Sequence, residues 1–157
     1  MKNFTNFFIS LAFVGYIKAM PGTFASLVSI LFLFPFFYFK ILTIEIFSLI
    51  FILIFLISLY LINLYSRQTK TQDSKIIVID EFLGIFLIFL FYDKIYLYNN
   101  FLTIILIFIL FRFFDIVKFF PANIIDKKMV SSLGVILDDI VAAIYTILTL
   151  YFINVFI

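Results

Sequence analysis

The chain contains no cysteine and no histidine among its 157 residues. The first absence excludes a disulfide framework and any thiolate metal ligand. The second removes the commonest general base and the commonest transition-metal ligand. Charge is scarce as well. Asp, Glu, Lys and Arg make up 13% of the residues, against roughly a quarter in an ordinary soluble domain, and that class is thereby excluded. The sequence has no internal repeat and no linker longer than a loop, so it reads as a single domain over residues 1–157. The net charge of +2 says little about partners; the placement of the charges says more.

What is abundant is apolar. Hydrophobic residues reach 66%, Phe alone occurs 26 times, and the mean hydropathy is +1.30. A helix needs about 20 residues to span a hydrocarbon core of roughly 30 Å. Five segments answer to this: 24–39, 41–65, 76–92, 100–120 and 133–157. The expected fold is all-α, a polytopic membrane helical bundle of about five transmembrane helices. Residues 1–14 hold one Lys and then an apolar run, but no small-x-small cleavage site follows. They read as a short N-terminal interfacial helix rather than a signal peptide. Pro35 is expected to kink the first span, and the joint at Lys40 is so short that the first two spans should form a tight hairpin.

Orientation follows from Lys and Arg. With the N-terminus in the cytoplasm, Lys2, Lys18, Arg67, Lys70, Lys75, Lys127 and Lys128 lie inside, Lys118 at the inner edge, and Lys40 and Lys94 outside. The bias supports five spans in the cytoplasmic membrane, N-terminus in and C-terminus out.

Against this background the acids stand out. Asp80-Glu81, Asp115, Asp126 and Asp138-Asp139 lie in or at the mouth of the apolar segments. A carboxylate in a membrane helix costs about 2.5–3.5 kcal/mol on insertion scales. One such residue fits chance or a helix end; two doublets and a lone Asp do not. At 1.5 Å per residue, Asp80-Glu81, Asp115 and Asp138-Asp139 all fall within roughly 10 Å of the inner interface. Carboxylates from three helices at one depth suit a shared divalent cation. With neither His nor Cys, that ion must be hard and oxygen-bound, so Mg²⁺ leads, ahead of Mn²⁺ or Ca²⁺. Neighbours on a helix point about 100° apart, so one member of each doublet should ligate directly and the other through water or a second cation. Asp80 and Gly84 share a face at i, i+4, where Gly84 permits close approach of a helix or a ligand.

Cations accompany the acids. Arg112, Asp115 and Lys118 advance at i, i+3, i+6 and suggest a phosphate site, although snorkelling at a helix end explains either cation alone equally well. Asp126, flanked by Lys127 and Lys128, is open between solvated loop residue and ligand. In KAMPGTFASL (18–27), Pro21-Gly22 breaks the chain and Thr23 is a candidate N-cap, so Lys18, Gly22 and Thr23 can offer charge and N–H groups to an anion. A phosphate bound through Mg²⁺ at headgroup depth implies an anionic phospholipid as substrate and metal-assisted hydrolysis. No nucleic-acid partner is expected.

Four blocks, KAMPGTFASL, DSKIIVIDEFLG, FRFFDIVKFFP and LGVILDDIVAA, resemble in order and spacing those of the phosphatidylglycerophosphatase A family. The resemblance covers residues 18–143. Ser74, Phe119, the Ser131-Ser132 pair and Ala143 depart from the family's usual Pro, Pro, Gly-Gly and Gly. The resemblance implies a Mg²⁺-dependent membrane phosphatase that removes the terminal phosphate of phosphatidylglycerophosphate. By the same resemblance the matched residues are Lys18, Pro21, Gly22, Thr23, Asp73, Asp80, Glu81, Gly84, Arg112, Asp115, Lys118, Asp126, Gly134, Asp138 and Asp139. The expected catalytic set is Asp80, Glu81, Asp115, Asp138 and Asp139, with metal on Asp80, Glu81, Asp138 and Asp139. Phosphate is expected on Lys18, Gly22, Thr23, Arg112 and Lys118. The alternative is a small ion transporter or channel subunit using the same acids. A transporter, however, would place them near the bilayer midplane.

Overall fold

The apolar runs form helices because every backbone amide must be satisfied within the chain where water is absent. In a computed structural model, residues 2–71, 74–129 and 131–156 are described. Among them lie α1 (Lys2–Ile9), α2 (Pro21–Tyr38), α3 (Ile44–Thr69), α4 (Ile79–Leu90), α5 (Tyr92–Ile95), α6 (Asn100–Val117), α7 (Ala122–Lys128) and α8 (Ser132–Phe156), and no strand. The fold is all-α. Four helices, α2, α3, α6 and α8, are long and apolar enough to cross a membrane. Their outward faces carry Leu31, Phe32, Leu49, Leu53, Ile109 and Phe152, all exposed, as a lipid-facing surface requires.

The expected third span is a shorter, central helix. α4 has 12 residues, about 18 Å at the α-helical rise, and eight of them are buried. It is apolar nearly all round, as befits a helix enclosed on every side; α2, α3 and α8 pack around it. Its start is delayed from residue 76 to 79 by the N-terminal segment. The Val78 N–H donates to the Ile9 carbonyl at 3.0 Å, and Gly15 lies so close to the Ile76 carbonyl that a β-carbon would overlap it. The Ile77 and Val78 N–H groups therefore find acceptors outside a helix, on Ser74 and Ile9. α1, expected at the interface, is docked on α3 with Ile9 fully buried.

The expected tight hairpin of the first two spans opens beyond its turn. Phe37 and Phe47 stack at 4.1 Å across the joint. Phe86 of α4 meets both edge-on at 6.3 Å, and also Phe51 at 5.6 Å. Aromatic side chains of α4 thus wedge between α2 and α3. Pro35 sits in the last turns of α2, which ends three residues later.

Two further boundaries differ from expectation. α2 begins at Pro21 with Met20 as its N-cap, so Thr23 is inside the first turn rather than capping it. Pro fits this first helical position because it has no N–H to leave unpaired. α6 ends at Val117, where Lys118 turns left-handed at φ 48°, and the joint after it holds α7. Tyr145 of α8 fixes that corner: its ring stacks on Phe114 at 5.4 Å and its hydroxyl donates to the Phe120 carbonyl at 2.5 Å. Ser132, the first residue of α8, has no positive φ and so needs no left-handed backbone. Ser131 Oγ instead accepts the Gly134 N–H at 3.2 Å, as an N-cap does.

Candidate active site

The N-terminal ends of α2, α4 and α8 and the C-terminal end of α6 converge at one end of the bundle. Between them lies a cleft of about 590 Å³. Lys18, Gly22, Thr23, Asp80, Glu81, Arg112, Asp115, Lys118, Asp138 and Asp139, the whole expected set, line this one cleft, together with Pro21, Asp126 and Gly134. Asp73 lies outside the described residues. The helix ends lower the cost of this charge. Asp80 and Glu81 occupy the first turn of α4, where the dipole favours anions, and Lys118 follows the last turn of α6, where it favours cations.

Three carboxylates gather most closely. Asp80 and Glu81 of α4 and Asp139 of α8 each bring an oxygen within 4.8 Å of the others. Both members of the first doublet therefore bring an oxygen to this cluster. Glu is one methylene longer than Asp, and Asp80 Oδ1 folds back to accept the Glu81 N–H at 3.2 Å. Asp138, the fourth expected ligand, turns instead to Lys118, with Oδ2 2.6 Å from Nζ. Glu81 Oε2, Asp138 Oδ1 and Asp139 Oδ2 are buried without a hydrogen-bond partner among the described residues. Desolvating such oxygens unpaired is costly, and a hard divalent cation is the partner that suits an all-oxygen set. These residues fit Mg²⁺.

The cations are engaged by acids. Arg112 Nη1 is 2.6 Å from Asp115 Oδ2 and 4.0 Å from Glu81 Oε1. Lys118 Nζ bridges Asp126 at 2.5 Å and Asp138 at 2.6 Å. Partial burial disfavours the charged ammonium of Lys118, but its hydrogen bonds to Asp126 and Asp138 outweigh this and push its pKa up from the ordinary lysine value. At the start of α2, the Thr23 and Phe24 N–H groups donate to the Met20 carbonyl at 3.0 and 3.3 Å. They are therefore taken up within the turn. Gly22 contributes its lack of a side chain: a β-carbon there would overlap Glu81 Oε1 and come within 3.2 Å of Arg112 Nη1. Gly84 admits a helix rather than a ligand, since its β-carbon would meet the Phe111 ring at 2.7 Å.

One participant, Lys75, and one pairing, that of Asp126 with Lys118, were not singled out by sequence. Lys75 also lines the cleft; its position directly before the IIVIDE run was the available signal. Asp126 pairs with Lys118 across Pro121, and no spacing rule connects an α7 residue to the end of α6.

The family model described as Phosphatidylglycerophosphatase A matches residues 7–154, nearly the whole chain. The chain belongs to this family. A relative named Phosphatidylglycerophosphatase A, from Haemophilus influenzae, is 37% identical over 79 residues. That match covers 50% of this chain and 46% of the relative, less than half the relative's length. No solved structure matches the chain. The family match takes in all four blocks, and hence every residue placed in the cleft above.

Proposed function

We propose that this chain is a Mg²⁺-dependent lipid phosphatase. It hydrolyses the terminal phosphate of phosphatidylglycerophosphate to phosphatidylglycerol and inorganic phosphate, a step of glycerophospholipid biosynthesis. The supporting observation is the meeting of Asp80, Glu81 and Asp139 in a cleft that also holds Arg112 and Lys118. Among the described residues, six carboxylates and four cationic side chains line this cleft. An anionic phosphate would be repelled from it without added positive charge. Asp80, Glu81 and Asp139 would hold the ion, with Asp138 beside them. Bound there, Mg²⁺ supplies a Lewis acid that neutralises phosphoryl oxygens.

The chain's own side chains do the rest. Arg112 presents a planar fork to two phosphate oxygens, and Lys118 a point charge to the third. Asp115 orients Arg112 from one turn away. Leftover carboxylate oxygens of the cluster position the attacking water. Its oxygen would bond to phosphorus as the phosphorus–ester oxygen bond breaks, and the proton it gives up to a cluster carboxylate would pass to the departing oxygen, leaving the lipid alcohol and phosphate. The lipid-facing surface of the four spanning helices allows the acyl chains to stay in the bilayer while the headgroup enters the cleft. The Lys and Arg distribution supports the reading that this end of the bundle faces the cytoplasm from a bacterial inner membrane.

Phosphate release from phosphatidylglycerophosphate by purified protein, with and without EDTA, tests the reading. Turnover that stops in EDTA and returns with Mg²⁺ supports it. Robust turnover in excess chelator would remove the metal from the mechanism, and no turnover at all would remove the activity.

A further inference from the structure

Among the described residues, four cationic side chains line the cleft, and acids engage two of them. Arg112 and Lys118 are sheltered, with side chains 16% and 29% exposed, and each meets a carboxylate at 2.6 Å. Lys18 and Lys75 are exposed, and among the described residues neither joins an ion pair. A backbone contact brings these two to one corner of the cleft. Gly15 lies so close to the Ile76 carbonyl that a β-carbon would overlap it. Lys75 directly precedes Ile76, and Lys18 follows Gly15 by three residues. Lys75 is also held in place. The Ile77 N–H donates to the Ser74 carbonyl at 2.8 Å, which makes Lys75 the second residue of a closed turn. The next residue, Val78, donates its N–H to the Ile9 carbonyl at 3.0 Å. A turn tied down on both sides thus carries the Lys75 ammonium at the cleft.

We propose that Lys75, together with Lys18, forms a second anion subsite that takes the phosphodiester of the same lipid whose terminal phosphate is hydrolysed. This rests on the phosphatase reading given above. That lipid carries two phosphates, a terminal monoester and an internal diester, joined through a glycerol. The monoester goes to the sheltered acids and cations, where the metal would neutralise its oxygens. The diester lies between the monoester and the acyl chains, so it sits nearer the mouth, where the exposed cations stand. No bond to its phosphorus breaks, so it needs neither a metal nor a planar fork. A lysine suits it, because a point charge on a flexible stem can meet either free oxygen of a diester. Lys18 and Lys75 can also bind an anion without first displacing a described carboxylate, as Arg112 and Lys118 cannot. The subsite favours a lipid with both phosphates over one with the monoester alone. Lys75 binds substrate in this account and takes no part in the bond-breaking step.

The test compares three constants on purified protein in detergent micelles. One is KM for phosphatidylglycerophosphate, which carries both groups. The others are inhibition constants for phosphatidylglycerol, with the diester alone, and phosphatidic acid, with the monoester alone. Lys75→Gln removes the charge. It should raise the first two constants by about fivefold, the upper scale of one exposed ion pair, and leave that of phosphatidic acid near the wild-type value. Lys75→Arg keeps the charge and should leave all three near wild type. Lys128→Gln removes an exposed charge at the same end of the bundle but outside the cleft, and should change none of them. An unchanged KM in Lys75→Gln overturns the proposal, as does an equal rise for phosphatidic acid. The same rise in Lys128→Gln also overturns it, by reducing Lys75 to a share of the general surface charge. Failure of Lys75→Gln to accumulate as folded protein would make the residue structural and overturn it too. A wild-type protein inactive on phosphatidylglycerophosphate removes the phosphatase reading and the subsite with it, whereas an active one whose constants ignore Lys75→Gln removes only the subsite.

Discussion

Glu81 Oε1 occupies the space that a β-carbon on Gly22 would fill. The first turn of α2 and the first turn of α4 thus meet at a carboxylate of the proposed metal cluster. Replacing Gly22 by Ala should favour helix formation, by up to about 1 kcal/mol in a helix interior and less in a first turn. The same change must push Glu81 aside and crowd Arg112. A displacement near 1 Å at a reacting centre can cost about 100-fold in rate. Gly22→Ala is therefore expected to keep or slightly raise thermal stability in detergent while activity falls by about that factor and more Mg²⁺ is needed for half-maximal turnover. Loss of stability in parallel with activity would make Gly22 a packing residue only.

The carboxylates themselves divide by geometry. Asp80, Glu81 and Asp139 meet at one point, whereas Asp138 is paired with Lys118. Asp80→Asn, Glu81→Gln and Asp139→Asn should each lower activity by more than about 100-fold, beyond the loss usual for an outer-shell partner. They should also weaken Mn²⁺ binding, followed by electron paramagnetic resonance on the inactive proteins. Asp138→Asn should weaken Mn²⁺ binding less than any of the three. Wild-type rates in two of the three would sink the assignment of the cluster.

These side-chain partnerships were only partly legible in the sequence. The depth of the acids could be read because helical rise and the inner-face cations fix it independently. The early start of α2 was signalled by Pro21, which suits a first helical position, yet Thr23 looked the better cap. The shortening of α4 was not legible, since it depends on Val78 donating to Ile9 and on Gly15 resting against Ile76, contacts made across more than 60 residues. The splay of α2 from α3 depends likewise on Phe86, one of 26 phenylalanines that no pattern distinguishes. The Lys118 to Asp126 pair requires α7, which a polar joint with Pro at its start did not announce. Local signals reached the helices; the pairings that set the site are tertiary.

Topology can be read chemically, because the chain has no cysteine of its own to give background labelling. Gln68 and Lys128 are exposed at the end of the bundle that carries the cleft, and Tyr98 is 81% exposed at the other. In intact bacterial cells, Gln68→Cys and Lys128→Cys should resist an impermeant thiol reagent until the membrane is opened, and Tyr98→Cys should react at once. The opposite pattern would put the cleft outside the cell, away from a cytoplasmic substrate pool.

Lys118 and Arg112 separate a phosphate clamp from a scaffold. Lys118 keeps its proton well above neutrality because two carboxylates hold the ammonium, so it stays cationic across the neutral and mildly alkaline range. Lys118→Met retains the apolar stem and removes that charge. It should depress kcat/KM for phosphatidylglycerophosphate by about 10–100-fold, the loss expected when one charge-assisted hydrogen bond of about 1.5–3 kcal/mol is gone. The Mg²⁺ concentration for half-maximal activity should change little, because the ion is held by other side chains. Arg112, like Lys118, also pairs with an acid, through its 2.6 Å contact with Asp115. Arg112→Lys can keep a charge beside Asp115 but not a planar fork on phosphate. Arg112→Met would leave Asp115 unpaired in a half-buried site and should lower folded yield as well as activity. If Arg112 only neutralises Asp115, then Arg112→Lys should be nearly silent and Arg112→Met should lose yield without a change in KM. If it grips phosphate, Arg112→Lys should lose kcat/KM at full yield. Wild-type KM and metal dependence in Lys118→Met and Arg112→Lys together would show that neither cation binds the substrate phosphate.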